Sequence, residues 1–185
     1  VGQWDKDKMN GKGKMMMKNG SEYDGYWLNN RKEGQGVFRF VNGNVFEGEW
    51  VEDKMSDGVM KYNNGDQFEG IFSGVYKHSG KMKFANGLIY EGTFENDEMN
   101  GRGIIRYTNK DVYEGSIING KKEGQGTLTI FGVGVYTGSF SDDKENSKGK
   151  LLYDDGSVYE GDWVAGKKHG EGVFKDSLGT WYEGG

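Results

Sequence analysis

The sequence contains no cysteine and no proline, and it has only two histidines. Without cysteine the chain has no disulfide, no thiolate zinc ligand and no thiol nucleophile, which suits a reducing compartment. His78 and His169 lie far apart in the chain, and no residues with metal-ligand spacing accompany them. No apolar run approaches the ~18 residues of a membrane-spanning helix. We therefore expect no metal site, no cofactor and no transmembrane helix.

The charge balance limits the choice of partner. The chain has 24 lysine and arginine residues against 29 aspartate and glutamate residues, which gives a formal net charge of -5. Nucleic-acid binding requires a basic surface that neutralises phosphate groups. We therefore expect no nucleic-acid partner.

Glycine is abundant, and nine of the 34 glycines recur at intervals of 22 or 23 residues. These anchor glycines are Gly2, Gly25, Gly48, Gly70, Gly92, Gly115, Gly138, Gly161 and Gly184. A constant period of this length is typical of a repeat protein, in which each short unit is stabilised by its neighbours. The sequence therefore predicts one continuous array of about eight repeats over residues 1–185. Because half-formed repeats stand at both ends, we expect it to be a fragment of a longer chain.

Each repeat has the alternation of a β-hairpin. Tyr159, Gly161 and Trp163 fall on one face of an extended strand. Gly172 and Phe174 share one face of the strand that follows. Asn-Gly and Asp-Gly pairs between the repeats favour tight turns. The sequence therefore predicts an all-β protein, an elongated and twisted single-layer antiparallel meander of hairpins.

The glycines stand beside bulky aromatic residues, which suggests a steric role. Glycine normally weakens a strand, but its missing Cβ leaves room for a ring to lie across the backbone. The face that holds these rings is the candidate protein-binding surface, and two hypotheses stay open. Either the rings form a groove for a partner, or they are wholly used in stabilising the sheet. The candidate residues are Trp4, Tyr23, Trp27, Phe46, Trp50, Phe68, Phe72, Tyr90, Phe94, Tyr113, Tyr136, Phe140, Tyr159 and Trp163.

A second candidate surface lies at the turns within the hairpins. Lysine and arginine clusters there could bind the headgroups of anionic lipids. Acidic residues occupy the equivalent turns of other repeats, so the basic row is interrupted and direct lipid binding is the less favoured interpretation. The candidate headgroup ligands are Arg31, Lys32, Lys121, Lys122, Lys167 and Lys168.

No pattern in the sequence indicates catalysis. The Gly-x-Gly motifs, such as Gly124 to Gly126, are not followed by the Gly-Lys-Ser/Thr of a phosphate-binding loop, and their recurrence indicates a structural role. The carboxylates stand in repeated outward rows or in turns rather than in one singular constellation. We therefore expect neither an enzyme nor a small-molecule substrate.

The repeat resembles the MORN repeat (membrane occupation and recognition nexus), whose pattern is Y-x-G-x-W, a lysine-rich turn and H-G-x-G. The clearest match is Tyr159 to Trp163 followed by Gly166 to Gly172, and the resemblance covers the whole chain. It implies a twisted sheet with one grooved face. It also implies a non-catalytic cytoplasmic scaffold in a cytoskeletal or ciliary (axonemal) assembly, which binds a helical segment or a second MORN array. The alternative is a peripheral membrane or phosphoinositide-binding module.

Overall fold

The computed structural model describes residues 2–184, and every regular element among them is a β-strand. The part of the chain that it describes contains no helix that could cross a membrane. The strands are β1 (Gly2–Asp5), β2 (Lys8–Met16), β3 (Glu22–Leu28), β4 (Arg31–Arg39), β5 (Val45–Val51), β6 (Lys54–Lys61), β7 (Gln67–Gly74), β8 (Tyr76–Lys83), β9 (Ile89–Glu95), β10 (Glu98–Arg106), β11 (Val112–Ile118), β12 (Lys121–Ile130), β13 (Gly134–Ser141), β14 (Lys144–Tyr153), β15 (Val158–Val164), β16 (Lys167–Lys175) and β17 (Trp181–Gly184).

The described chain divides into two compact units. The first comprises residues 2–87 and 94–97, and the second comprises residues 88–93 and 98–184. In the first unit each strand from β1 to β8 pairs antiparallel with the next strand of the chain. In the second unit the strands from β10 to β17 do the same. The all-β antiparallel meander is thus confirmed in each unit, whereas one continuous array over residues 1–185 stays a prediction.

The anchor glycines face other glycines across the ladder. Gly115 on β11 lies opposite Gly126 on β12, and Gly138 on β13 lies opposite Gly149 on β14. A Cβ atom added to Gly126 would lie 2.5 Å from Cε2 of the Tyr113 ring. The Tyr113 hydroxyl reaches past the glycines and donates a hydrogen bond of 2.7 Å to the carbonyl oxygen of Ser116. The ring therefore occupies the space that two missing side chains leave.

The turns between repeats agree with the Asn-Gly pattern, but the turns within the hairpins use other residues. Gly43 has φ +88°, and its N–H donates a hydrogen bond of 3.0 Å to the carbonyl oxygen of Phe40. Within the hairpins, Asn29 and Asn30 both have positive φ, at 51° and 71°. Two consecutive residues with positive φ form a type I′ turn, whose twist matches the twist of the two strands that it joins.

We predict that Gly126→Ala destabilises the second unit, because the new Cβ would overlap the Tyr113 ring. Overpacking of this kind costs about 1–3 kcal/mol, and urea unfolding would measure it. The three atoms nearest to that Cβ all belong to the Tyr113 side chain. In a Tyr113→Leu background the same replacement should therefore cost much less. An equal cost in both backgrounds would contradict the contact.

Candidate functional site

The structure buries all but one of the fourteen residues predicted to form the protein-binding face. Tyr23, Phe46, Phe68, Tyr90 and Tyr113 have no exposed area, and the other buried rings are at most 7% exposed. The exception is Trp4, whose side chain is 67% exposed. These rings therefore form the core of each unit, and this observation favours the hypothesis that they stabilise the sheet.

In the first unit the rings pack edge to face in an unbroken chain. The Tyr23 ring lies 5.1 Å from the Trp27 ring and 5.4 Å from the Trp50 ring, measured between centroids. Trp50 lies 5.3 Å from Phe46, which lies 5.2 Å from Phe72. Each such pair contributes about 0.5–1.5 kcal/mol beyond the burial of its apolar area. Neighbouring hairpins are thus joined through their rings as well as through their backbones.

The second unit has the same packing with one change of residue type. Tyr113 lies 5.0 Å from Phe140, and Phe140 lies 5.2 Å from Tyr136. Tyr136 in turn lies 5.0 Å from Trp163. Two residues after the anchor glycine, where these repeats have Phe140 or Trp163, the preceding repeat has the fully buried Ile117. The aromatic series is therefore interrupted by an aliphatic side chain at that position.

The indole rings also bond to the backbone of the preceding hairpin. The Nε1–H of Trp27 donates to the carbonyl oxygen of Gly13 at 3.1 Å, and that of Trp163 donates to Gly149 at 3.2 Å. The donor follows the acceptor by 14 residues in both cases. A buried indole requires such a partner, because an unpaired buried N–H is costly.

A second row on the same face stays partly open to solvent, and the site prediction missed it. Its members stand four residues after the second-strand glycine, so the repeat pattern already marks them. Each is half-buried. We call this set the outer row; it consists of Phe40, Tyr62, Phe84, Tyr107, Ile130 and Tyr153.

Lysine side chains lie over the rings in every second repeat. The Lys32 ammonium lies 5.0 Å from the centroid of the Trp50 ring and 3.3 Å from a carboxylate oxygen of Asp53. Lys77, which was not among the predicted site residues, lies 5.7 Å from the centroid of the Tyr62 ring. Cation–π contacts of this kind favour a cation held against an apolar face. Lys32, at the start of β4, is therefore part of the aromatic face.

The other predicted headgroup ligands lie close to the hairpin turns, where several of them meet acidic groups. Arg31 lies 3.2 Å from Glu52, and Lys121 forms an ion pair with Asp142. The hydrogen bond with Asp142 raises the pKa of Lys121. The backbone N–H of Lys122 donates to a carboxylate oxygen of Asp143 at 2.9 Å. Acidic turns thus alternate with basic turns and contact them directly.

The two remaining basic candidates, Lys167 and Lys168, lie at the start of β16, directly after the turn that joins it to β15. The Lys168 ammonium lies 4.6 Å from the centroid of the Tyr159 ring, so it repeats the arrangement of the other ring-bound lysines. Both residues are exposed. Their binding of a lipid headgroup stays a prediction.

Burial also affects the tyrosines of this face. Desolvation, with a smaller contribution from nearby acidic groups, raises the pKa of Tyr107 and of Tyr113 to about 12. Their hydroxyls are therefore neutral at ordinary pH and remain able to donate hydrogen bonds.

Among the described residues, no group of three or more His, Asp or Glu side chains could hold a metal ion.

Comparisons with known proteins support the repeat assignment. A family model described as MORN repeat matches residues 1–22, 23–45, 46–67, 90–112, 113–130, 136–158 and 159–177. A search of curated protein sequences finds no match. The chain is similar to the SAS-4 (dCPAP) TCP domain of Drosophila melanogaster, whose solved structure is a complex with a proline-rich motif of Ana2. The two sequences are 15% identical, the TM-score is 0.54, and the match covers 94% of this chain and 90% of that chain. It is also similar to the TCP10 domain of Danio rerio CPAP, at 13% identity and a TM-score of 0.47, over 93% and 87% of the two chains.

We predict that Trp50→Ala destabilises the first unit by about 3–5 kcal/mol, the usual cost of removing a buried tryptophan. Trp50 is 4% exposed and contacts rings of two hairpins. Trp4→Ala is the matched control, because Trp4 has the same place in its repeat but is 67% exposed. It should change stability by no more than about 0.5 kcal/mol. Equal losses in thermal or urea unfolding would contradict the assignment of these rings to the core.

Proposed function

The chain belongs to the MORN repeat proteins, and we propose that it is a non-catalytic scaffold that binds segments of partner proteins along its aromatic face. The observation that supports this most strongly is the outer row, whose half-buried side chains stand above a tightly packed ring core. Partly exposed aromatic side chains on a rigid support are typical of the residues that contribute most to protein binding.

The geometry of the outer row suits a segment that crosses several hairpins. Neighbouring strands of a sheet lie about 4.8 Å apart, so outer-row residues of successive repeats stand on the order of 10 Å apart. Within the second unit, Tyr107, Ile130 and Tyr153 offer three such contacts in succession. The ring-bound Lys122 adds a cation beside Tyr107, at 5.7 Å from the ring centroid. A partner segment would therefore meet a row of partly exposed apolar groups with a cation beside Tyr107.

The proposal also covers the kind of partner and the location of the protein in the cell. In the SAS-4 structure a TCP domain is in complex with a proline-rich motif of another protein, which supports a peptide segment as the partner. We include a helical segment and a second MORN array as further forms of partner. The resemblance to MORN scaffolds supports a cytoplasmic cytoskeletal assembly, including the axoneme of a cilium.

Site-specific photocrosslinking tests the proposed face. A benzoylphenylalanine placed at Tyr107, on the aromatic face, should crosslink to a partner protein in extract of the native cell. The same residue placed at Thr127 is the matched control, because Thr127 lies on β12 of the same unit but on the opposite face. The proposal expects one defined product from position 107 and none from position 127. Crosslinks from position 127 alone would contradict it.

The alternative function, peripheral binding of anionic lipid through basic turns, has less support because Arg31 and Lys121 already contact acidic side chains. We predict little pelleting of the protein with vesicles that contain phosphatidylserine and phosphoinositide at physiological salt. Any binding should be no stronger than that of a Lys167→Ser, Lys168→Ser double variant. Strong pelleting that high salt releases and that the double variant lacks would favour the lipid alternative.

A further inference from the structure

One Asn-Gly pair in the second unit has a geometry that favours a chemical change of its asparagine. Asn100 and Gly101 lie on β10, where Gly101 has φ +91°. The N–H of Gly101 donates a hydrogen bond of 3.0 Å to Oδ1 of Asn100, the side chain of the residue directly before it. Because Cγ is bonded to Oδ1, this contact also holds Cγ of Asn100 close to the Gly101 nitrogen. Gly101 is exposed, so water reaches the pair.

The Gly101 nitrogen and Cγ of Asn100 are the two atoms that react when an asparagine loses its amide group. A base in solution removes the proton of the nitrogen, which then forms a bond with Cγ. The bond between Cγ and Nδ2 breaks, and Nδ2 leaves as ammonia after taking a proton from water. Water then opens the cyclic imide at either carbonyl carbon and leaves aspartate or isoaspartate. Glycine favours the first step because it has no side chain to hinder the approach.

In most other Asn-Gly pairs the glycine nitrogen is engaged by a different group. The N–H of Gly43 donates to the carbonyl oxygen of Phe40 at 3.0 Å. Oδ1 of Asn42 accepts from the N–H of Asn44 at 3.1 Å, so the amide group is held toward the residue beyond the glycine. The other glycines of such pairs whose N–H donates to a backbone carbonyl oxygen are Gly20, Gly65, Gly87 and Gly120.

Asn10 and Asn146 provide two closer comparisons. Asn10 stands in the same motif as Asn100, Met-Asn-Gly followed by a basic residue and glycine. Oδ1 of Asn10, however, accepts a hydrogen bond of 3.1 Å from the N–H of Asn29. At Asn146 the geometry of Asn100 is repeated, since the N–H of Ser147 donates to Oδ1 of Asn146 at 3.0 Å. There the following residue has a side chain, so Asn100 alone of the three combines the geometry with a glycine.

We propose that Asn100 is a deamidation site of the folded protein and that it reacts faster than the other asparagines. This inference does not depend on the binding of a partner. Nδ2 of Asn100 donates to Oδ1 of Asn119 at 3.4 Å, and a carboxylate in its place repels that oxygen. The carbonyl oxygen of Asn100 accepts a hydrogen bond from the Thr93 hydroxyl, and isoaspartate displaces it by adding a methylene group to the main chain. Deamidation therefore weakens the contacts at the start of β10.

The test is peptide mapping by mass spectrometry after the full chain has been incubated at neutral pH and body temperature. Fragmentation locates the change of mass at one residue, and electron-transfer fragmentation separates aspartate from isoaspartate. In the folded chain Asn100 should convert several-fold faster than Asn10 and Asn42, and Asn146 should stay unchanged. In concentrated urea this advantage should disappear, so that the three Asn-Gly pairs convert at similar rates.

A variant and the pH dependence complete the test. Asn100→Gln keeps an amide, but its longer side chain would have to close a larger ring, so the conversion should be lost while the circular dichroism spectrum stays unchanged. The rate at Asn100 should rise with pH, because the reacting nitrogen must lose its proton. An unmodified Asn100 in the folded chain, conversion of Asn10 at the same rate, or a rate independent of pH would overturn the inference.

Discussion

An aromatic ring that lies across two facing glycines is the contact on which the rest of this structure depends. A single-layer sheet has no second layer to bury its apolar residues, so its rings can be buried only against their own strands and each other. The paired glycines make this burial possible, because a Cβ at Gly126 would overlap the Tyr113 ring. Once a ring lies across its glycines, it can reach an aromatic ring of the next hairpin at about 5 Å, as Tyr113 reaches Phe140 at 5.0 Å.

This constraint also decides what is available for function. Because the inner rings form the core, the proposed partner binding on this face would use the outer row. The repeats thus provide a regular support for the outer row.

The repeat, the strands and the aromatic face could all be predicted from the sequence, because they follow from spacing and from the alternation of side chains. How deeply each ring is buried could not be predicted from the sequence. Trp4 and Trp50 have the same place in their repeats, yet one is 67% exposed and the other 4%, because exposure depends on neighbouring hairpins. The contact of Lys32 with the rings could not be predicted either, because it depends on the place of Lys32 at the start of β4, directly after the turn. Asn29 and Asn30 form that turn without glycine, so the usual signal is missing.

The most direct test of the ring-over-glycine contact is the proton NMR spectrum of the glycine pairs. If the Tyr113 ring covers Gly115 and Gly126, the α-protons of both glycines should show strong Overhauser effects to the ring protons. Their signals should also be shifted upfield by the ring current. Glycine signals at their random-coil positions, without Overhauser effects to the ring, would contradict the contact and the account built on it.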